Sequence, residues 1–195
     1  MADSNRAWVP VAALLSVLTG CVSSAGPHEP RPSTAHHATP LARLEPISPG
    51  GGPLPEDAGR LTVLAEFSSP HDRLLAYVTE DACGLLSDPG GSAEGGIRLE
   101  SGFPGEGQGS DAYPGGPYGA VSGADGAGRW ASLSCSRNAM VIDYVSGHPG
   151  DPGRTRGHAT LTEVAGDPAT TRIVVGDTGL RGRISRQAAA AAHRT

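Results

Sequence analysis

The sequence contains no lysine; all fifteen of its basic residues are arginine. That excludes any chemistry that needs a lysine Schiff base or a lysine general base. Aromatic residues make up only 4% of the chain, so a core has to be assembled mainly from Val, Leu, Ile and Ala. The formal charge of -5 and pI of about 5.8 lack the basic footprint of a nucleic-acid binder. No apolar run is long enough to cross a bilayer: the longest, Ala7 to Leu18, falls short of the roughly 20 residues a spanning helix requires. Cysteine is scarce, with three in the whole chain, and no CxxC pair occurs among them. What is abundant is glycine and proline, 29 and 17 residues, which favours short elements joined by turns.

The apolar run near the start has the length of a signal-peptide core, and Pro10 within it would be awkward in a stable buried helix. It ends in Leu18-Thr19-Gly20-Cys21. These four residues resemble the lipobox of bacterial lipoprotein precursors, with Leu three before the Cys and small residues between. The resemblance covers residues 1–21 only. It implies removal of residues 1–20, a diacylglycerol on the Cys21 sulfur, and anchoring of the mature chain on the outer side of a cell membrane. The implied partners are the membrane and the lipoprotein-processing enzymes. With Cys21 so used, Cys83 and Cys135 remain as an even pair, expected to form a structural disulfide in an oxidising compartment.

Residues 21–60 read as a disordered linker, punctuated by Pro27, Pro30, Pro32, Pro40, Pro46, Pro49, Pro53 and Pro55. As a coil, a segment of this length spans roughly 35 Å, enough to lift a domain clear of lipid headgroups. His28, His36 and His37 lie within it and are expected to be solvated.

From Leu61 the pattern becomes strand-like. Leu61, Val63, Ala65 and Phe67 alternate with Thr62, Leu64 and Glu66 at period two. Further strands are expected over 73–79, 97–100, 130–135, 139–145, 160–164, 171–175 and, at the edge, 182–185. The sequence therefore predicts an all-β domain over 61–186, a disulfide-bonded sandwich or barrel of six to eight short strands. A Gly-rich loop is expected over 101–128, and an Ala-rich tail over 187–195. Trp130 precedes the second cysteine, whereas an immunoglobulin domain places its tryptophan soon after the first.

No motif calls for a cofactor or a metal. Gly126 to Ala131 fits the letters of a dinucleotide fingerprint, but a loop precedes it and a strand follows. Gly107 to Tyr113 looks like one unit of a calcium-binding repeat without the second copy such a site needs. His71, His148 and His158, each near a carboxylate, are the candidates for a small hydrolase. The other functional candidate is a binding loop in which Tyr113 and Tyr118 flank a Pro/Gly turn, with Asp111 beside them. The tyrosines are expected either to pair across the turn or pack on the domain edge, or to present one or both rings outward. Tyrosine offers large contact area with little side-chain entropy to lose, which suits an envelope glycan or protein partner. The arginines from Arg172 to Arg194 face a single acid, Asp177, and are expected to form a solvated basic end.

Overall fold

The computed structural model describes residues 38–50, 60–87, 96–126, 128–148, 152–164 and 168–192. Residues 1–20, expected to be a signal peptide, and Cys21, His28, His36 and His37 lie outside the described residues.

Ten strands occur among the described residues: β1 Thr62–Ser68, β2 Arg73–Val78, β3 Ala82–Ser87, β4 Arg98–Gly102, β5 Gly119–Ala124, β6 Trp130–Cys135, β7 Ala139–Val145, β8 Arg154–Gly157, β9 Ala159–Val164 and β10 Thr170–Gly176. They form two five-stranded antiparallel sheets. The first has the order β4-β3-β2-β1-β8 and the second β5-β6-β7-β10-β9. The expected all-β, disulfide-bonded fold is therefore present. Its strand number is higher because β3, β5 and β8 form where no strand was expected, β5 within the Gly-rich stretch expected to be a loop.

Leu64, Ala65, Phe67, Leu74, Ala76 and Leu85 of the first sheet meet Ala131, Leu133, Met140, Ile142, Tyr144 and Ile173 of the second in one core. The strict alternation expected for β1 breaks at Leu64, where the register with β2 slips between Val63 and Ala65. Such a bulge lets Leu64 and Ala65 both face inward, while Val63 goes to the outer face with Leu75, Tyr77 and Leu86. Cys83 of β3 and Cys135 of β6 are joined across the core with Cα atoms 6.1 Å apart, so the disulfide ties sheet to sheet. Closing a loop of that length stabilises the fold by about 4 kcal/mol on the chain-entropy model.

The chain changes sheets between β8 and β9 at Gly157-His158. Gly157 has φ +78, and a side chain there would run into the Leu64 carbonyl. The bulge carbonyl of Leu64 accepts from the His158 amide, and the His158 carbonyl accepts from Gly176. The corner is thereby stitched to both sheets.

Two elements differ from the expectation. The first is the helix α1, Thr178–Ala192, which replaces the edge strand expected over 182–185 and the start of the tail. Asp177 supplies its N-terminal cap, accepting from the Leu180 amide at 2.9 Å. Leu180 and Ile184, one turn apart, pack on Val141, Val174 and Ala139 of the second sheet's outer face. The second is the stretch expected to be the end of the linker. Leu41 is fully buried in the main core, and its amide donates to Arg137. Thr39 donates to the free oxygen of Asp177, Ile47 donates to Val63, and Gly50 donates to Glu66. Residues 38–50 are a strap on the sandwich, and the packed structure includes Ala38 rather than starting at Leu61.

Candidate binding face

Two of the three candidate histidines come together. The rings of His71 and His148 stack with centroids 4.3 Å apart and planes at 25°. Next to His71 in the chain, Asp72 is only 4% exposed. It accepts the Ser146 hydroxyl proton, and Arg129 Nη1 lies 3.6 Å from its other oxygen. Arg129 is also paired with Asp125 across the β5–β6 turn. Burial and the adjacent Asp72 carboxylate push the Tyr144 hydroxyl well above its usual range. A serine nucleophile needs an imidazole between its hydroxyl and the acid. Here Ser146 donates directly to Asp72, and the same oxygen accepts from the His148 backbone. The cluster is a polar clasp between the β1–β2 turn, the β5–β6 turn and the end of β7. His158 sits apart at the β8–β9 corner, with Nε2 2.9 Å from the Glu45 carbonyl.

The tyrosine loop is folded back on the domain. Tyr118 is 2% exposed, and its hydroxyl donates to the Pro114 carbonyl at 2.8 Å. Burial pushes that hydroxyl up to about 12. Tyr118 therefore presents no contact surface. Tyr113 meets it edge-on at 5.6 Å and stays half-buried, while Asp111 is exposed. Of the two arrangements the sequence allows, the packed pair is the one present, and outward presentation is left to the half-buried Tyr113 alone. Behind the loop, Pro104, Glu106, Gly116, Pro117, Arg137 and Asn138 border a shallow hollow of about 190 Å³.

Tyr113 leads to a feature that the sequence reading did not single out. Its ring lies 5.7 Å from the Arg172 guanidinium, on the outer face of the second sheet. Arg172 donates twice to Asp143, at 2.7 and 2.9 Å, from directly opposite positions on β10 and β7. That bidentate bond outweighs burial and raises the hold of Arg172 on its proton. The register extends the row in both directions: Ser122 opposite Ser132, Ser132 opposite Asp143, and Arg172 opposite Thr162. Residues alternate faces along a strand. Ala131, Leu133 and Cys135 point into the core, so Trp130, Ser132 and Ser134 of β6 point out. Trp130 is 38% exposed, flanked across the sheet by Ala124 and Val145. The alternation in Trp-Ala-Ser-Leu-Ser-Cys was the signal that would have placed this ring outside.

The face is thus divided. The end near β10's last residues is covered by α1, and the opposite end presents a tryptophan, a row of hydroxyls and a neutralised ion pair. Cys83 and Cys135 are structural and buried, remote in role from this surface. Set against protein-family models, curated proteins and solved structures, the chain matches none of them.

Proposed function

We propose that this chain is a lipid-anchored cell-envelope protein whose β sandwich binds or scaffolds an envelope component. The observation that carries the reading is the disulfide between Cys83 and Cys135. It uses two of three cysteines and leaves Cys21, at the end of the lipobox-like Leu18-Thr19-Gly20-Cys21, without a cysteine partner in the chain. A buried disulfide also suits an exported protein better than a cytosolic one. From Cys21 to Ala38 the chain can reach at most about 60 Å, which bounds how far the packed domain stands from the anchor. Two or more acyl chains on the mature terminus would give stable anchoring. The binding role is supported by the exposed Trp130 and the polar row beside it. A hydrolase centred on His71 and His148 draws less support, since the Ser146 hydroxyl in that cluster donates its hydrogen bond directly to Asp72 with no imidazole between them.

The test is the mass of the N-terminal peptide of the protein isolated from membranes. The reading expects a chain beginning at Cys21 and carrying diacylglycerol, and a Cys21→Ser precursor that stays uncleaved and unlipidated. A Cys21→Ser protein that is processed normally and still partitions into detergent would overturn it.

A further inference from the structure

We propose that the open half of the second sheet's outer face, centred on Trp130 and the Ser132–Asp143–Arg172 row, binds a neutral polysaccharide strand. This deepens the envelope-binding reading and rests on it.

The chemistry of the face narrows the ligand. Trp130 is the exposed large apolar side chain among the described residues. Its immediate neighbours across the sheet are the small Ala124 and Val145, and the next row holds Ser122 and Ser132. A lone aromatic ring bordered by hydroxyls is a poor seat for an acyl chain, which needs a continuous apolar patch. An anionic polymer needs unpaired cations. Arg172 is instead held by both oxygens of Asp143, so the middle of the row carries no net charge. An extended peptide adds to a sheet through free backbone groups at an edge, whereas this is the flat face of paired strands.

A sugar ring fits what remains. It has a face of C–H groups that packs on an aromatic plane, and a rim of hydroxyls that both donate and accept. Trp130 supplies the plane. The Asp143–Arg172 pair supplies carboxylate acceptors and guanidinium donors held in one orientation, and Ser122, Ser132 and Thr162 supply hydroxyls at strand spacing along the row. Tyr113, packed over Arg172, forms a raised border on the side towards α1, and the rest of the row lies flat. A flat face bordered on one side suits the side of a polymer rather than a single sugar enclosed in a pocket.

Sole-tryptophan fluorescence tests this directly. The chain has two tryptophans, Trp8 and Trp130. Trp8 lies in the residues 1–20 that the envelope reading removes, so protein beginning at Cys21 reports on Trp130 alone, and Trp8→Phe secures the same for any unprocessed precursor. The protein would be titrated with soluble mannan, arabinogalactan, a linear β-glucan and an α-glucan. The expected result is a saturable change in emission with at least one of them. In affinity electrophoresis through the same polymer, Trp130→Ala should weaken binding at least about tenfold, and Trp130→Phe should keep most of it. Ser132→Ala should weaken it about threefold, and the melting temperatures of all three variants should match the parent. Polysaccharide binding that Trp130→Ala leaves unchanged would overturn the assignment of this face. If none of the polymers binds and a photoreactive group at position 130 crosslinks to a defined envelope protein instead, the glycan inference falls while the envelope-binding reading stands. The anchor is read separately, from the N-terminal peptide mass.

Discussion

The two outer faces of the sandwich have been finished differently. On the first sheet, Val63, Leu75, Tyr77 and Leu86 form a small second core, and the strap residue Ile47 together with Leu61 packs against it. Tyr77 is fully buried and lies across Gly84, its partner on β3, so that any side chain at 84 would collide with the ring. Its hydroxyl donates to Glu100 on the next strand, and burial with that carboxylate pushes it up to about 12. Beside it the carboxylate of Glu66, 5% exposed, binds Arg73, Arg156 and the Gly50 amide. On the second sheet, α1 covers Val141 and Val174 but Trp130 stays in solvent. In a chain with so few aromatics, an aromatic ring left outside while comparable surface is covered on both faces is the observation behind the recognition role we propose.

Breaking the joint between the faces should have the largest effect. Reducing the disulfide, or replacing both Cys83 and Cys135 by Ser, should lower stability by about 4 kcal/mol in denaturant titration, since it links the sheets through the core. Next comes the strap. Leu41→Ala removes a fully buried side chain and should cost about 3 kcal/mol, within the usual range for a buried Leu. A surface-linker residue would cost almost nothing, so this variant separates a packed strap from a tether. Asp177→Ala should cost about 1 kcal/mol, through loss of the α1 cap and of the Thr39 contact.

A smaller effect follows from pH. Burial alone would raise the Glu66 carboxyl, but the Gly50 amide and the Arg73 and Arg156 guanidinium groups hold it below its ordinary value of 4.5. For Asp177, burial is likewise outweighed, by the Leu180 and Thr39 amides, and its carboxyl lies below 3.8. A group whose pKa is lowered on folding stabilises fully above its unfolded value and loses that contribution as pH falls through the folded one. Stability should therefore begin to fall as pH drops below about 4.5 and continue falling through the Asp177 range. Glu66→Gln should flatten the first part of that decline.

The sequence carried the sandwich well where burial follows a period of two. Trp130 to Cys135 alternates as a strand with one face in the core, and Ala139 to Val145 follows as its partner, although there α1 buries the second face as well. The pairing of Cys83 with Cys135 was also legible, from the even pair of cysteines that remains when Cys21 is set aside as the expected lipidation site. The strap was not, because Leu41 and Ile47 are isolated apolar residues among prolines, and nothing periodic marks a segment that packs through single side chains and backbone bonds. The helix was obscured by its glycines, Gly179 and Gly182, although Asp177 before Leu180 and Ile184 at four-residue spacing carried the signal. At the candidate site, Tyr113 was legible as a loop aromatic but Tyr118 was not legible as buried, since only its contacts with Pro114 and Tyr113 decide that. The Asp143–Arg172 pair depends on register between strands far apart in sequence, which no local pattern reveals.

The contrast between a sealed face and an open one is tested most directly by measuring Tyr77→Ala and Trp130→Ala side by side, in denaturant titration and in binding to isolated envelope material. Tyr77→Ala should lower stability by about 3 kcal/mol or more and leave the binding of the folded fraction unchanged. Trp130→Ala should change stability by less than about 0.5 kcal/mol and abolish most of the binding. A Trp130→Ala protein as destabilised as Tyr77→Ala, with binding intact, would contradict the assignment of that face to recognition.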